Sequence, residues 1–437
     1  MPPVIDAASE VVDLCRDLIR IDSTNDGDGG GPGEREAAEY VAGRLAEVGL
    51  QPVLLESAPR RTSVVVRLPG ADPDRTDALL LHGHLDVVPA DPKAWRYDPW
   101  AAEVADGCVW GRGAVDMKDM DAMILAVVRE RVLSGRLPAR PLVVCFTADE
   151  EAGGLLGSHW LTEHHPEVFE GCTEAVGEVG GFSVTLPTGG RTYLVQAAEK
   201  GIAWMTVQAD GTEGHGSLPH DDNAVAALAA GLARLTEHRW ETTETPTVTA
   251  LLDDVAAATG TRPDPDDPDQ LARMLGSVGR IVRATTRNTA NPTVLRAGAK
   301  TNQVPASAQA QVDGRFLPGE RDSFLATVDR LLGTRVRRVD THLDVALEAP
   351  FSGPLVDAMT TALTEADPGC RVAPYMLFGG TDAKAFSRLG IRGYGFSPLR
   401  LPADLDFPAL FHGVDERVPL DALRFGARTL DRFLDLA

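Results

Sequence analysis

Five short stretches of the chain contain histidine or carboxylate residues in patterns that could do chemistry. They are LHGHLDVVP (81–89), GRGAVDMKDMDAM (111–123), TADEEAGG (147–154), AVGEVGGFS (175–183) and LFHGVDERVP (410–419). Imidazole and carboxylate are ordinary zinc ligands, and a site without thiolate also accepts cobalt or manganese. None of the five stretches contains cysteine. Together they predict a mixed nitrogen and oxygen metal site.

Each stretch taken alone also has a structural interpretation. His84 and Asp86 project to one face of a strand, either as a hydrogen-bonded pair or as a ligand with an orienting carboxylate. Asp116 precedes a helix and could be its N-cap. Glu150 and Glu151 could form a solvated acidic loop. Because adjacent carboxylates repel one another without a cation or proton, they could instead be a metal ligand beside a general base.

The shared position of the five stretches favours the chemical interpretation. Each lies where an apolar strand pattern gives way to a loop, including those that carry Glu178 and His412. In open α/β sheets, ligands bind beyond the carboxyl ends of the strands. The sequence therefore predicts one site at such an edge.

The elements that must position this site alternate between helix and strand. Helical spacing predicts helices over residues 11–21, 34–50 and 117–133. Uninterrupted apolar runs such as LVVCFTADEE predict strands covered on both faces. This alternation is typical of an α/β fold with a mostly parallel central sheet.

The pattern changes near residue 196. Alternating strands and two predicted helices, 223–236 and 322–332, indicate a small α+β module, while the polar, proline-rich 259–269 predicts an exposed excursion. Helix–strand alternation returns after Pro354. We therefore predict a discontinuous catalytic domain made of residues 1–195 and 351–437, with an inserted lid or dimerisation domain over residues 196–350.

Charge and composition limit the classes of partner. The 437 residues carry a net charge of −22, which disfavours binding to nucleic acid and to anionic membranes. The five cysteines show no paired spacing, no secretory signal pattern opens the chain, and no apolar run reaches the length of a membrane span. These features predict a soluble cytoplasmic protein that acts on small molecules.

The five stretches, in this order, resemble the metallopeptidase family that contains aminoacylase, glutamate carboxypeptidase, carboxypeptidase S and succinyl-diaminopimelate desuccinylase. The resemblance covers nearly the whole chain. It implies a catalytic α/β domain around two zinc ions, interrupted by a lid or dimerisation domain.

The resemblance also implies a role for each candidate residue. One zinc ion would be bound by His84 and Glu178, and the other by Glu151 and His412. Asp116 would bridge the ions, Asp86 would orient His84, and Glu150 would be the general base. The peptide bond after Asp116 would be cis. Asp119 departs from the family pattern, which often has glycine there, and we expect no change in chemistry.

Further positions match family segments that contact the substrate. His215 would stabilise developing negative charge, from the partner subunit in dimeric members, although its spacing alone also suits a surface loop. The implied substrate-binding residues are Asn302, Arg315, Gly380, Thr381 and Lys384. For Arg315 and Lys384, an ordinary surface cation is the competing interpretation.

These assignments predict a zinc-dependent amidohydrolase that cleaves an N-acyl amino acid beside its free carboxylate. A dipeptidase or carboxypeptidase of the same family is the alternative, because both cleave an amide next to a carboxylate. A non-catalytic binding protein is a weaker alternative, since all five ligand positions are filled. GHGSLP is not the G-x-S-x-G turn of serine hydrolases. If His215 acts in trans, the enzyme is a homodimer.

Overall fold

The structure is a computed structural model that describes residues 6–27, 29–187 and 190–437. The first predicted segment, 1–195, therefore includes a few residues outside the described part. The elements up to residue 199 are α1 (Ala7–Arg20), α2 (Arg35–Ala46), β1 (Val53–Ala58), β2 (Arg61–Leu68), β3 (Ala78–His84), β4 (Glu103–Ala105), β5 (Cys108–Trp110), α3 (Lys118–Ser134), β6 (Leu142–Thr147), α4 (Ser158–His164), β7 (Cys172–Gly177), β8 (Phe182–Thr185) and β9 (Arg191–Glu199).

The remaining elements alternate less regularly. The middle of the chain forms β10 (Gly201–Asp210), β11 (Gly214–His215), α5 (Ala224–Glu237), α6 (Pro246–Thr259), α7 (Pro268–Leu275), α8 (Val278–Thr285), β12 (Thr289–Ala297), β13 (Gln303–Val304), β14 (Ser307–Phe316), α9 (Arg321–Leu332), β15 (Val336–Asp344) and β16 (Leu347–Glu348). The last part forms α10 (Pro354–Ala366), β17 (Arg371–Leu377), α11 (Ala383–Ser387), β18 (Arg392–Gly395), β19 (Arg417–Pro419) and α12 (Leu420–Leu436).

A large sheet organises the first and last parts of the chain. Its strands run in the order β1-β2-β6-β3-β7-β18-β9-β16, and β6, β3, β7 and β18 are parallel to their neighbours in the centre. Residues of these central strands are buried on both faces, as their uninterrupted apolar sequences predict. The predicted α/β fold with a mostly parallel central sheet is confirmed.

A second, antiparallel sheet of four strands, β12-β14-β10-β15, is packed against α5 and α9 and has its own apolar core. This is the α+β module expected in the middle of the chain. Two short connections join it to the large sheet. Glu199 to Gly201 links β9 to β10, and Asp344 to Leu347 links β15 to β16.

One feature of the middle segment was not expected from the sequence. Helices α6, α7 and α8 flank the predicted excursion, and their apolar faces join the core of the large sheet instead of that of the small one. Arg371 at the start of β17 also pairs with Asp254 on α6. Within the described part of the chain, no helix combines the length and hydropathy that a membrane span requires.

Candidate metal and active site

Polar residues at the ends of three neighbouring strands lie at one edge of the large sheet. His84 is the last residue of β3, Glu150 and Glu151 lie in a short helical turn after β6, and Glu178 directly follows β7. Because β6, β3 and β7 are parallel and adjacent, their carboxyl ends meet. Asp116 joins them from the loop before α3.

These residues form two groups that share one carboxylate. His84, Asp116 and Glu178 offer ligand atoms within 4.8 Å of one another, and so do Asp116, Glu151 and His412. Asp116 divides its oxygens between the groups, with Oδ1 3.1 Å from His84 Nε2 and Oδ2 3.2 Å from His412 Nε2. All five residues to which the resemblance assigns metal ligation therefore converge.

The donor atoms of this cluster fit a divalent metal. Glu178 Oε2 lies 3.5 Å from His84 Nε2, and Glu151 Oε2 lies 3.0 Å from His412 Nε2. Glu151 Oε1 is buried and has no hydrogen-bond partner among the described residues. Buried carboxylates normally find a hydrogen-bond partner or a cation. The set of two imidazoles and three carboxylates suits zinc, and also cobalt or manganese.

Burial and the charges of neighbouring groups both shift the pKa values of the cluster residues. Burial raises the pKa of Glu178 to about 8, and together with the nearby Glu178 it raises the pKa of Glu150 well above its usual range. Hydrogen bonds to Asp116 and Glu151 raise the pKa of His412 to about 10. The chain without metal therefore holds protons at positions where a bound cation would replace them.

Glu150 lies beside both groups without belonging to either. Its Oε2 is 4.0 Å from His84 Nε2. The preceding Asp149 adopts a left-handed backbone conformation, with φ of 66°, which turns the chain sharply at the end of β6. This turn places Glu150 and Glu151 at the edge of the sheet, next to the cluster.

Asp86 holds this turn in place. Its carboxylate accepts hydrogen bonds from the backbone N–H groups of Glu150 and Glu151, at 3.1 and 3.0 Å, and from Asn25 Nδ2. His84 Nδ1 lies 2.9 Å from the backbone carbonyl oxygen of Asp86 and 3.7 Å from its carboxylate. The carbonyl, rather than the carboxylate, is therefore the closer partner for orienting the imidazole.

The substrate-binding candidates from the last part of the chain lie next to the cluster. Gly380, Thr381 and Lys384 line a cavity of about 200 Å³ that Glu150, Glu151 and His412 also line. Lys384 is buried, and its Nζ donates to the backbone oxygens of Lys200 and Val345. These oxygens belong to the two connections between the sheets, so this contact ties both connections together.

The small sheet contributes the opposite wall of the same cavity. Arg315 on β14 pairs with Asp313 at 2.7 Å, and its guanidinium lies 5.9 Å from the ring centre of Trp204. His342 on β15 lies beside Trp204. The cavity is therefore lined by cationic and aromatic groups, and also by the carboxylates of Asp344 and Asp382.

His215 and Asn302 do not join the cluster in this chain. They lie on the ribbon formed by β11 and β13, where Gly216 N–H donates to Asn302 O at 2.9 Å and His215 Nδ1 lies 2.8 Å from Ser217 Oγ. Both residues are exposed, and neither lines a cavity at the cluster.

Several contacts that support the site were not expected from the sequence. Asn25 and Asp149 contribute to the network around Asp86. Asp382 accepts hydrogen bonds from Thr147 and Ser158. Glu416 follows His412 by four positions in the same motif, but nothing in the residue types indicates its partners. As expected from the resemblance, the Asp116–Met117 peptide bond is cis.

Comparison with known proteins agrees with this geometry. The profile of Peptidase family M20/M25/M40 matches residues 80–436. The chain is 24% identical to the N-fatty-acyl-amino acid synthase/hydrolase PM20D1 of Xenopus tropicalis, over 89% of the chain and 78% of that protein. It is 30% identical to the succinyl-diaminopimelate desuccinylase of Cereibacter sphaeroides, over 69% of the chain and 70% of the enzyme.

A solved structure shows the same fold. The M20 family metallo-carboxypeptidase Sso-CP2 of Sulfolobus solfataricus superposes with a TM-score of 0.73 at 16% identity, covering 98% of this chain and 99% of that one. The resemblance seen in the sequence is therefore confirmed. The chain belongs to Peptidase family M20/M25/M40 and is a metallo-hydrolase of amide or peptide bonds.

Proposed function

We propose that the protein hydrolyses the amide bond of N-acyl amino acids whose acyl group is apolar. The observation that carries this proposal is a pair of cavities of opposite character that meet at the cluster. They share Glu150, Glu151, Gly379, Gly380 and His412. A substrate whose amide lies at these shared residues would extend one end into each cavity.

The first cavity suits an acyl group. Its volume is about 210 Å³, and beyond the cluster its walls are almost entirely apolar. The apolar residues are Val179, Phe182, Ile281, Tyr375, Leu377, Phe378, Pro408 and Phe411. Among the described residues that line this cavity, the only carboxylates belong to the cluster itself. None is left to bind the ammonium group of a dipeptide. This favours a deacylase over a dipeptidase.

The second cavity suits the amino-acid end. Arg315, Lys384 and His342 line it together with Thr381, and its two carboxylates outside the cluster, Asp344 and Asp382, already have partners within the chain. Arg315 is the more suitable partner for a substrate carboxylate, because its pairing with Asp313 uses only Nε and Nη2 and leaves further N–H donors on the guanidinium. Lys384 is already engaged with two backbone oxygens, so we assign it a part in shaping the cavity.

Within this proposal, five residues would hold two metal ions, of which zinc is our preferred identity. They are His84, Asp116, Glu151, Glu178 and His412. When bound, such ions supply a water of lowered pKa and polarise the amide carbonyl. Glu150 Oε2 would accept the water proton and return it to the leaving nitrogen.

His215 would complete the site from a second copy of the chain. Its exposed position on the β11–β13 ribbon supports a role outside its own cluster. We therefore propose a homodimer in which His215 and Asn302 of one copy contact the substrate of the other. A cytoplasmic location remains our prediction from the sequence.

A hydrolysis panel tests the proposed substrate class. The purified enzyme with added zinc would be given N-acetyl-, N-succinyl- and long-chain N-acyl-amino acids beside dipeptides, with Glu150→Gln as the control for contaminating activity. We expect the highest kcat/KM on apolar N-acyl amino acids. A preference for dipeptides would replace the proposal with the dipeptidase alternative, and failure on every substrate would refute it.

A further inference from the structure

Glu416 is a fully buried carboxylate to which the catalytic proposal assigns no role. It lies just before β19, and its exposed fraction is 0%. Each of its oxygens accepts two hydrogen bonds. Oε1 receives the N–H groups of Val115 at 2.7 Å and Asp116 at 3.1 Å, while Oε2 receives Arg112 Nη1 at 2.7 Å and the N–H of Gly113 at 3.0 Å.

All four donors belong to the loop that ends at Asp116. The backbone carbonyl of Glu416 also accepts the N–H of Gly111 at 3.0 Å. A contact to the backbone N–H of Asp116 limits where its Cα lies, and therefore where its two carboxylate oxygens point. Asp116 is the residue that both ligand groups share. Its position affects both groups at once.

Glu416 also connects this loop to His412. Only three residues separate the two along the chain, and His412 Nε2 lies 3.2 Å from Asp116 Oδ2. His412 adopts a left-handed backbone conformation, with φ of 57°. One buried carboxylate thus joins the segment that carries His412 to the loop that carries Asp116, across about 300 residues of sequence.

Asp86 plays the equivalent part for the other ligand loop, by accepting the N–H groups of Glu150 and Glu151. Buried carboxylates are costly unless their lone pairs are satisfied. Each of these two is satisfied mainly by the backbone of a loop that carries ligand residues. Packing alone would not require a charged group at either place.

We propose that Glu416 is a positioning residue for Asp116 and thereby sets the affinity of the site for both metal ions. This inference rests on the proposed metal ligands. Outer partners that orient metal ligands typically contribute about 10- to 100-fold in metal affinity. The substitution Glu416→Gln keeps the shape of the side chain but replaces one acceptor oxygen with an NH₂ group, so two of the four donors lose their acceptor.

The test measures zinc affinity by competition with a chelator, and metal content by elemental analysis. We expect Glu416→Gln to bind both ions about 10- to 100-fold more weakly, and to recover most of its kcat when zinc is saturating. Glu365→Gln is the matched control, because Glu365 pairs with Arg432 on the surface. It should retain the affinity of the unaltered enzyme.

Two further variants distinguish the possible failures. Unchanged zinc affinity in Glu416→Gln, together with a lower melting temperature of the metal-free protein, would overturn the proposal and leave a general folding role. If that variant does not fold, Glu416→Asp keeps both acceptor oxygens but withdraws them by one methylene. It should lose a smaller part of the affinity, and unchanged affinity would again overturn the proposal. If Asp116→Asn also binds zinc normally, the proposed metal site itself is wrong.

Discussion

The cluster of metal-ligand candidates and the β11–β13 ribbon both contain residues to which the family resemblance assigns a role. Only the cluster residues come together within one copy of the chain. The cluster residues come from distant parts of the sequence and converge because β6, β3 and β7 end at one edge of a sheet. His215 and Asn302 lie at the exposed β11–β13 ribbon, where their described contacts are with neighbouring loop residues. A single copy of the chain thus assembles the proposed metal chemistry, but not the proposed contacts of His215 and Asn302.

The largest expected effect on activity comes from a substitution in the cluster that leaves the β11–β13 ribbon unchanged. Glu150→Gln removes the proposed proton acceptor while leaving every proposed ligand in place. We expect kcat to fall by about 10²- to 10⁴-fold, as for loss of a general base. Metal content should remain at the unaltered level by elemental analysis. Full turnover with a full complement of metal would show that Glu150 is not the base.

Removal of the His215 side chain from the ribbon should have the next largest effect on activity. His215→Ala is expected to lower kcat by about 10²- to 10³-fold, the usual cost of removing one donor to an oxyanion, with metal content unchanged.

Mixing subunits separates action in trans from action in cis. A hybrid dimer of His215→Ala and Glu150→Gln copies contains one intact site if His215 acts across the interface. Random exchange should then restore about a quarter of the unaltered activity. A mixture no more active than its two parents would place His215 in its own copy's site.

The pH dependence of metal binding tests how strongly the cluster is buried. The pKa of Glu178 is raised to about 8, so a proton occupies this ligand at lower pH and must be displaced by the metal. The apparent zinc affinity should therefore rise with pH through 8, by roughly tenfold per unit for each proton released, and the raised pKa of His412, about 10, extends the rise above pH 8. Chelator competition corrected for the chelator's own protonation would measure it. An affinity that does not change between pH 6 and 8 would contradict the burial of this group.

The smallest expected effect is on substrate specificity. It comes from a substitution outside both the ligand cluster and the ribbon. Ile281 of α8 lines the apolar cavity and is 5% exposed. Ile281→Ala should shift the ratio of kcat/KM toward longer acyl chains by roughly tenfold, the order expected from enlarging an apolar pocket. Ile391→Ala is the matched control, since Ile391 is equally buried in a separate core cluster. The same shift in both variants would attribute it to loss of stability.

Much of the fold could be predicted from local patterns. The predicted helix over 117–133 corresponds to α3 at Lys118–Ser134, and that over 11–21 to α1 at Ala7–Arg20. The helix predicted over 34–50 ends earlier, at Ala46, and a turn follows to Gly49, whose φ of 92° favours glycine. Helices α6 to α8 were missed because their apolar faces point to a sheet that is distant in sequence.

The supporting contacts at the site were harder to predict than its ligands. Imidazole and carboxylate groups are recognisable by type, whereas Asp86 and Glu416 contact backbone N–H groups, which every residue except proline carries. The spacing of His84 and Asp86 suggested a side-chain pair, but the nearer partner of the imidazole is a carbonyl oxygen. The role of Lys384 likewise depends on two backbone oxygens from separate connections.

The sequence by itself determined the family, the α/β class and the identity of the residues able to bind metal, because residue chemistry and strand periodicity are local properties. The tertiary structure decided which of them meet. It brought five ligand candidates together, left His215 and Asn302 at an exposed ribbon, and placed an apolar cavity beside one lined by charged and polar groups. These outcomes depend on which strands pair and which loops face each other, and such long-range packing is not encoded at any single position.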